Sequence, residues 1–445
     1  MKKFKFYISI LTAKLLAIAI TMINRSAGTS FVGLVVLKIC PEFLSYCSQY
    51  VKKDIITITG TNGKTTTAGL ISNIFEENNQ KVVHNEKGAN MLTGIANALA
   101  LELGVFKRFD YYVLESDEAY LTKLYDYMSS DVLVVTNLFR DQLDRYGELD
   151  TTAKKIQEAI DKNPNLKILL NGDDPMVAKL GMNRERIYFG FDKVEVMASS
   201  IISNAPVETV NCPLCGNVLK YADRFYAQQG HYYCDCEYRR PQCEYSGDVK
   251  IFEDYSILKV YTLKGDFEFN VGLIGLYNAY NALAAIALGL ELGYEQKQIQ
   301  NALNTYQSIF GRAEKLILHG HQVLVQLIKN PTGASEVLKT VDLSSNILIM
   351  INDNYADGRD ISWLWDADFE FLKNTKNTIT VSGDRANDMA VRLKYAGVDT
   401  SKIVVMPDID YAIEHLLKTL DINEKITILP TYTALLKMQR GKWRG

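Results

Sequence analysis

The sequence predicts an α/β protein with two series of buried parallel strands and a small cysteine-rich insertion in the first of them. Three observations predict it. Short β-branched runs alternate with longer helical stretches from residue 54, five cysteines crowd between Cys212 and Cys243, and a second strand–helix series begins after residue 310. Near-continuous apolar runs such as DVLVVTN (131–137) and NILIMIN (346–352) are what a parallel sheet covered on both faces requires.

Residues 1–50 read as a helical segment. MKKFKFYISILTAKLLAIAITMI starts basic and continues apolar, but Lys14 interrupts it and no clean small-residue cleavage site follows, so retention is expected. The stretches flanking Lys14 are shorter than the ~20 apolar residues a spanning helix needs. Residues 1–41 hold Lys2, Lys3, Lys5, Lys14, Arg25 and Lys38 and no acid. Two placements follow: against an anionic membrane surface, or packed on the main domain.

From residue 51 the elements follow in order. DIITITG is a strand closed by glycine, TTTAGLISNIFEEN a helix, and YYVLES, DVLVVTN and LKILLNGDD further strands. Around residue 206 the alternation breaks into the Cys- and Tyr-rich insertion (205–246), and strand-like text resumes at DVKIFEDYSILKVYTL. GLYNAYNALAAIALGLELG is strongly helical. After GRAEKL come NILIMIN, NTITVSG, SKIVVMP and KITILPT, separated by helical segments. The expected domains are therefore 1–50, 51–309 and 310–445. A chain of 445 residues with 47% hydrophobic and 23% charged residues is globular, and a net charge of -3 argues against a generally basic nucleic-acid-binding surface.

TITGTNGKTTT (57–67) is the sharpest motif. A loop that leaves a buried strand and enters a helix aims successive backbone N–H groups at one point, and glycines let it close on a phosphate. Gly60, Thr61, Asn62 and Gly63 form that loop, Lys64 reaches the β/γ-phosphates, and Thr65, followed by Thr66, offers a hydroxyl to Mg²⁺. Ile58 stands where the longer general pattern has glycine, so only the shorter form is present; a structural turn is the alternative. Glu115, at a strand end, suits Mg²⁺, with Asp117 and Glu118 as competitors.

Cys212-Pro-Leu-Cys215-Gly places two thiolates on one turn, and Cys234 and Cys236 arrive after a hairpin-length spacer. A structural Zn²⁺ ribbon is expected, with Cys243 a rival for the fourth corner, His231 a weaker one, and unligated thiols the alternative. The few nearby basic residues favour fold stabilisation over nucleic-acid binding.

The loop Gly60–Thr65, Glu115, VVTNLFRDQLDRYGELD (134–150), LNGDDP, GLYNAYNALAA and GRAEKL follow the order of the Mur ligase family, which the chain resembles and which includes folylpolyglutamate synthase. The resemblance implies a Mur ligase-like P-loop central domain, a C-terminal Rossmann-like α/β domain, and ATP and Mg²⁺ as cofactors. It carries Asn278 and Asn281 over as adenine-nucleotide contacts and Arg312 as a hinge residue able to meet phosphate. In the 134–150 segment Asn137, Asp141, Asp144 and Gly147 match, whereas Gln142 and Tyr146 replace two histidines.

GANMLTGIANAL (88–99), KNPTGASEVL (329–338) and NDNYADGRDISWLWD (352–366) narrow the resemblance to the ligase-like subunits of lipid II isoglutaminyl synthase. That implies ATP-dependent activation of the α-carboxylate of D-glutamate in the lipid II stem peptide as an acyl phosphate, then capture by ammonia. Cys40 and Cys47 lie in the N-terminal helical region and the other five cysteines are assigned to metal, so no glutamine-hydrolysing nucleophile is in sight. A GatD-like glutaminase partner is therefore implied. The resemblance also implies that this chain lends the partner's histidine an acid, with Asp357 first, Asp360 second and Asp353 third; a loop-capping Asx turn is the alternative for each. The implied location is cytoplasmic, peripheral at the inner membrane face. Two other readings are a stand-alone ligase that adds an amino acid and a non-catalytic ATP-regulated zinc-ribbon scaffold.

Overall fold

The computed structural model describes residues 2–22, 29–85, 89–104, 107–139, 149–196, 211–252, 254–307 and 311–441. Strands β1 (Val51–Thr59), β2 (Val82–His84), β3 (Phe109–Glu115), β4 (Val132–Val135), β5 (Lys167–Asn171) and β6 (Ile187–Val196) open the main sheet. A separate hairpin, β7 (Lys220–Tyr226) and β8 (Gln229–Tyr233), follows, and β9 (Tyr245–Ile251), β10 (Ser256–Thr262) and β11 (Gly265–Val271) complete the nine-stranded sheet in the order β11-β10-β9-β6-β5-β4-β1-β3-β2.

In the main sheet β1 to β6 and β9 pair in parallel, but β10 and β11 run antiparallel as a meander. The short turns joining β9, β10 and β11 leave no room for a crossover, and β10 alternates buried and more open residues as a strand with one wet face does. Strand β1 lies between β3 and β4, where the order of connection reverses. In open α/β sheets such a switch point leaves a crevice beyond the carboxyl ends of the strands. That is where the phosphate loop sits.

One face of the sheet is covered by helices that include Leu92–Glu102 and Leu149–Lys162, the other by Lys64–Glu77 and Leu276–Glu291. The N-terminal helices Lys2–Met22 and Thr29–Ile39 pack on the first of these layers. Phe6, Ile10, Ala13, Val32 and Val36 are buried there, and Phe6 stacks on Phe43 at 5.1 Å. At Gly33 the backbones meet directly: a Cβ would lie 1.7 Å from the Thr93 carbonyl oxygen. The segment thus packs on the main domain, and its opposite face is exposed and apolar. Among the described residues no single helix is long and apolar enough to cross a membrane; Ser30–Ile39 and Phe43–Tyr50 reach that length only together, bent by 91°.

The second sheet contains β12 (Arg312–Leu318), β13 (His321–Gln326), β14 (Asn346–Met350), β15 (Ile379–Ser382), β16 (Ile403–Val405) and β17 (Ile426–Pro430), ordered β12-β13-β17-β14-β15-β16. Only β12 is antiparallel. Strands β2, β6, β11, β12 and β13 have no counterpart in the sequence reading, because β2 is only three residues long, charged residues interrupt β6, β11 and β12, and a polar turn separates two short runs at β12–β13.

Candidate nucleotide site and metal centre

The loop 60–63 leaves β1 and enters the helix Lys64–Glu77. Gly63 has φ of 87°, and a Cβ there would meet Asn281 Oδ1 at 2.0 Å, so only glycine fits. The end of β4 holds the loop from the side. Thr61 N–H donates to the Asn137 carbonyl (2.9 Å), Thr61 Oγ1 to the Phe139 carbonyl (3.0 Å), and Asn62 N–H to Asn137 Oδ1 (2.8 Å).

Lys64 is buried, and its ammonium donates to the Gly60 carbonyl and pairs with Glu118 at 3.2 Å. Thr65 Oγ1 donates to Glu115 Oε2 at 2.6 Å. Glu115 is 2% exposed, and its backbone is held on both sides by the Asn85 amide (2.8 Å each). Of the three acids at the end of β3 and just beyond it, Asp117 caps a turn at Ala119 N and Glu118 faces the lysine, leaving Glu115 as the carboxylate that shares a place with the Thr65 hydroxyl. A hydroxyl and one carboxylate are the sparse protein donor set Mg²⁺ takes.

A crevice opens beside the loop, lined at one end by Asn62, Gly63, Thr66 and Asn281 and at the other by Lys329 and Glu336 of the second α/β unit. Asn281 lines it; Asn278 lies behind, accepting from Asn281 Nδ2 (3.2 Å) and donating to the Ile274 carbonyl (2.9 Å). Asn330 Nδ2 donates to Asn62 Oδ1 (2.9 Å), tying the phosphate loop to the N-terminus of the helix Pro331–Lys339. Sequence reasoning missed that role. Its signal was an Asn-Pro pair, a cap followed by proline at the first helical position. Arg312 begins β12, with its side chain outside the described residues; Asp141, Gln142, Asp144, Tyr146 and Gly147 also lie outside them.

Asp173 and Asp174 are fully buried. Asp174 caps the helix Pro175–Ala178 and accepts from Leu138 N (2.9 Å), and burial pushes its carboxyl up to about 6. Asp173 accepts from the Tyr280 hydroxyl (2.7 Å) and Arg240 Nε (2.6 Å), and burial raises it too. Both act as joints between elements.

In the insertion the sulfurs of Cys212, Cys215, Cys234 and Cys236 all lie within 4.8 Å of one another, with Cys212–Cys236 at 3.6 Å and Cys215–Cys234 at 3.5 Å. A tetrahedron of Zn–S bonds near 2.3 Å has edges of roughly 3.8 Å, so the four thiolates fit such an ion. Cys243 is elsewhere, with its thiol on the Pro241 carbonyl (3.8 Å) and packed at Gly172. His231 faces the Phe191 carbonyl (2.9 Å) instead.

The three acids after β14 differ sharply. Asp357 is 6% exposed and accepts from Thr433 N (2.7 Å), Thr433 Oγ1 and Asn354 N (3.1 Å), and burial raises its carboxyl above the ordinary range. Asp360 is exposed and accepts from Ser362 N (2.8 Å) and Oγ (2.9 Å). Asp353 pairs with Arg385 at 2.8 Å. Exposed aromatics stand near this loop in sequence or on neighbouring helices: Tyr355 at 82%, Trp365 at 54% and Tyr395 at 73%, the last two in edge contact.

The Mur ligase middle domain profile matches residues 58–215, and the MurT ligase C-terminal profile matches residues 327–435. Over 416 residues the chain is 36% identical to subunit MurT of the lipid II isoglutaminyl synthase (glutamine-hydrolyzing) of Staphylococcus aureus strain COL, covering 92% of each. The chain belongs to the MurT family. The MurT subunit of Streptococcus pneumoniae (strain ATCC BAA-255 / R6) is also 36% identical, over 93% of this chain and 92% of its own. Among solved structures, a pseudomurein peptide ligase type C from Methanothermus fervidus superposes with a TM-score of 0.67 at 22% identity, covering 89% of this chain and 79% of that one, which shows the Mur ligase fold. MurT membership makes the chain a ligase subunit.

Proposed function

We propose that this MurT-family chain uses ATP to amidate the α-carboxylate of D-glutamate in the lipid II stem peptide, with ammonia from a GatD-like glutaminase partner. The observation that carries it is the Thr65–Glu115 pair beside Lys64 at the phosphate loop, in a chain of the MurT family. The γ-phosphoryl group passes to a carboxylate oxygen, giving an acyl phosphate and ADP. Ammonia then attacks the carbonyl carbon, phosphate leaves with the bonding pair, and the nitrogen loses a proton to become the amide. Lys64 stabilises charge on the transferred group. Thr65 and Glu115 would hold Mg²⁺, which would supply Lewis-acid charge at the phosphates when bound. The Asn62–Asn330 contact orients the two α/β units about the crevice.

The ammonia must come from elsewhere. Burial pushes the thiols of Cys40, Cys47 and Cys243 up, the opposite of what a nucleophile needs, and the other four cysteines form the cluster, read here as a structural Zn²⁺ site. Asp357, buried and fixed by three donors, has the rigidity that an acid orienting a partner's histidine requires. Tyr355, Trp365 and Tyr395 supply the exposed aromatic anchors typical of an interface centre.

Lipid II is a membrane-borne substrate, and the N-terminal helix carries a face suited to it. Phe4, Ile8, Leu11, Leu15 and Ile18 recur at alternating spacings of four and three and are all exposed, on a segment rich in lysine and free of acid up to Glu42. A second copy would set lysine against lysine. An anionic bilayer answers both the apolar stripe and the charge.

The test is to purify the chain with and without a co-expressed glutaminase subunit and assay glutamine-dependent amidation of lipid II. Isoglutamine formed in step with ADP, only when both subunits are present, is the expected result. Addition of a free amino acid to the peptide by this chain alone would overturn it.

A further inference from the structure

The metal cluster and the nucleotide crevice lie at opposite ends of one hairpin. Cys212 and Cys215 precede β7, and Cys234 and Cys236 follow β8. The strands run on the order of 20 Å from this base to a tip made of Tyr226, Ala227, Gln228 and Gln229. The tip is buried: Tyr226 is 5% exposed, Ala227 3%, and Gln228 and Gln229 0%.

At that tip Tyr226 lines the crevice together with Gly63, Thr66, Phe139 and Asn281. Its ring lies 5.7 Å from Phe139 and, edge-on, 5.7 Å from Tyr280, the residue before Asn281. Gln228 Nε2 donates to the Leu138 carbonyl (2.6 Å), in the same segment whose Asn137 and Phe139 grip the phosphate loop. Gly230 N–H donates to the Asp173 carbonyl (3.0 Å), and Asp173 holds the Tyr280 hydroxyl. Two further features fit a tip placed for a purpose other than its own comfort. Ala227 adopts φ of 44°, a left-handed conformation that glycine ordinarily supplies in a two-residue hairpin turn. The amide of Gln229, beside the Tyr226 hydroxyl, meets no hydrogen-bond partner of ordinary geometry among the described residues.

The geometry points to the hairpin as a strut: the four-cysteine metal centre holds Tyr226 in place as an aromatic wall of the nucleotide crevice, so metal occupancy sets nucleotide affinity. This rests on the nucleotide-binding reading of the phosphate loop. It extends that reading by giving the insertion a part in binding and by assigning a nucleotide-positioning residue outside the loop. An aromatic face beside a phosphate cradle is the chemistry that recognises a purine base or its ribose, and a ring held from a distant base needs a rigid hinge. The backbone of a two-stranded hairpin is marginally stable alone, so the metal provides that rigidity.

The test measures equilibrium binding of a fluorescent ADP analogue with Mg²⁺ to the full chain, purified with its glutaminase partner, together with zinc content and thermal midpoint. Tyr226→Ala is expected to raise Kd roughly tenfold, the size of one lost aromatic stacking contact, at unchanged zinc content. Tyr226→Phe keeps the ring and is expected to stay within about threefold of the unsubstituted chain. Cys236→Ser is expected to lose zinc and to raise Kd at least fivefold, and restoring zinc to chelator-stripped unsubstituted protein to return it. Unchanged Kd for Tyr226→Ala, or for zinc-depleted protein that keeps its near-UV circular dichroism, would overturn the strut. If the unsubstituted chain binds no ADP analogue, the nucleotide reading itself falls, and the strut with it.

Discussion

The Thr65 hydroxyl donates to the Glu115 carboxylate across 2.6 Å, joining the first turn of the phosphate-loop helix to the carboxyl end of β3. Parallel pairing of β1 with β3 brings Ile58 opposite Glu115, which sets the acid level with the start of the loop. The pair is a consequence of strand register.

Glu115→Gln keeps the shape and the hydrogen bond but removes the charge. Turnover at saturating ATP is expected to fall at least about a hundredfold, a loss of several kcal/mol of metal-borne stabilisation. A Mg²⁺ titration of activity checks it: the apparent metal requirement should rise steeply. An unaltered titration would mean that Asp117 or Glu118 is the metal's carboxylate.

Lys64→Ala should abolish amidation with glutamine and with free ammonium alike, because the phosphoryl transfer is common to both. Asp357→Asn should behave differently. It is expected to cut glutamine hydrolysis by orders of magnitude, since an amide stabilises an imidazolium poorly, while ammonium restores amidation. Measuring the same two rates for Asp360→Asn and Asp353→Asn ranks the three acids. Only the orienting acid should combine loss with glutamine and recovery with ammonium. If all three variants hydrolyse glutamine as the unsubstituted complex does, the histidine draws its acid from somewhere outside this loop.

Cys215 is exposed and close to three other thiols, so Cys215→Ser removes one candidate zinc ligand and disturbs little else. Zinc content is expected to drop from about one per chain towards zero, with a thermal midpoint lower by several degrees. Elemental analysis of protein purified without chelator decides it, and a metal-free but equally stable parent would remove the structural role.

Leu11→Ser combined with Leu15→Ser interrupts the exposed stripe without touching Phe6, Ile10 or Ala13 on the packed face. Co-sedimentation with vesicles containing phosphatidylglycerol should fall at least tenfold, and binding by the unsubstituted chain should weaken as salt is raised. Equal binding to vesicles of neutral phosphatidylcholine alone would argue against the basic residues having a part.

What the sequence determined by itself is local. The order Gly60, Gly63, Lys64, Thr65 announces a strand-to-helix loop of phosphate-loop type because all its atoms lie within one turn of chain, and Cys212 and Cys215 announce a pair of thiols on one turn for the same reason. The buried parallel strands β3, β4 and β14, and β1 from Ile55 to Thr59, were legible because double burial leaves its mark on nearly every residue of the run. Tertiary structure decided whatever depends on which distant segments become neighbours. Cys236 rather than Cys243 closes the cluster because the hairpin returns Cys236 to its base while Cys243 travels on to Gly172. Asn62 meets Asn330 across 268 residues, and Tyr226 reaches the crevice from the cysteine cluster by the length of the hairpin. The face of the N-terminal helix Lys2–Met22 that stays open follows from its packing on Thr29–Ile39 and Leu92–Glu102, because a helix with apolar residues on both the packed and the open side contains no record of which side its partner will take.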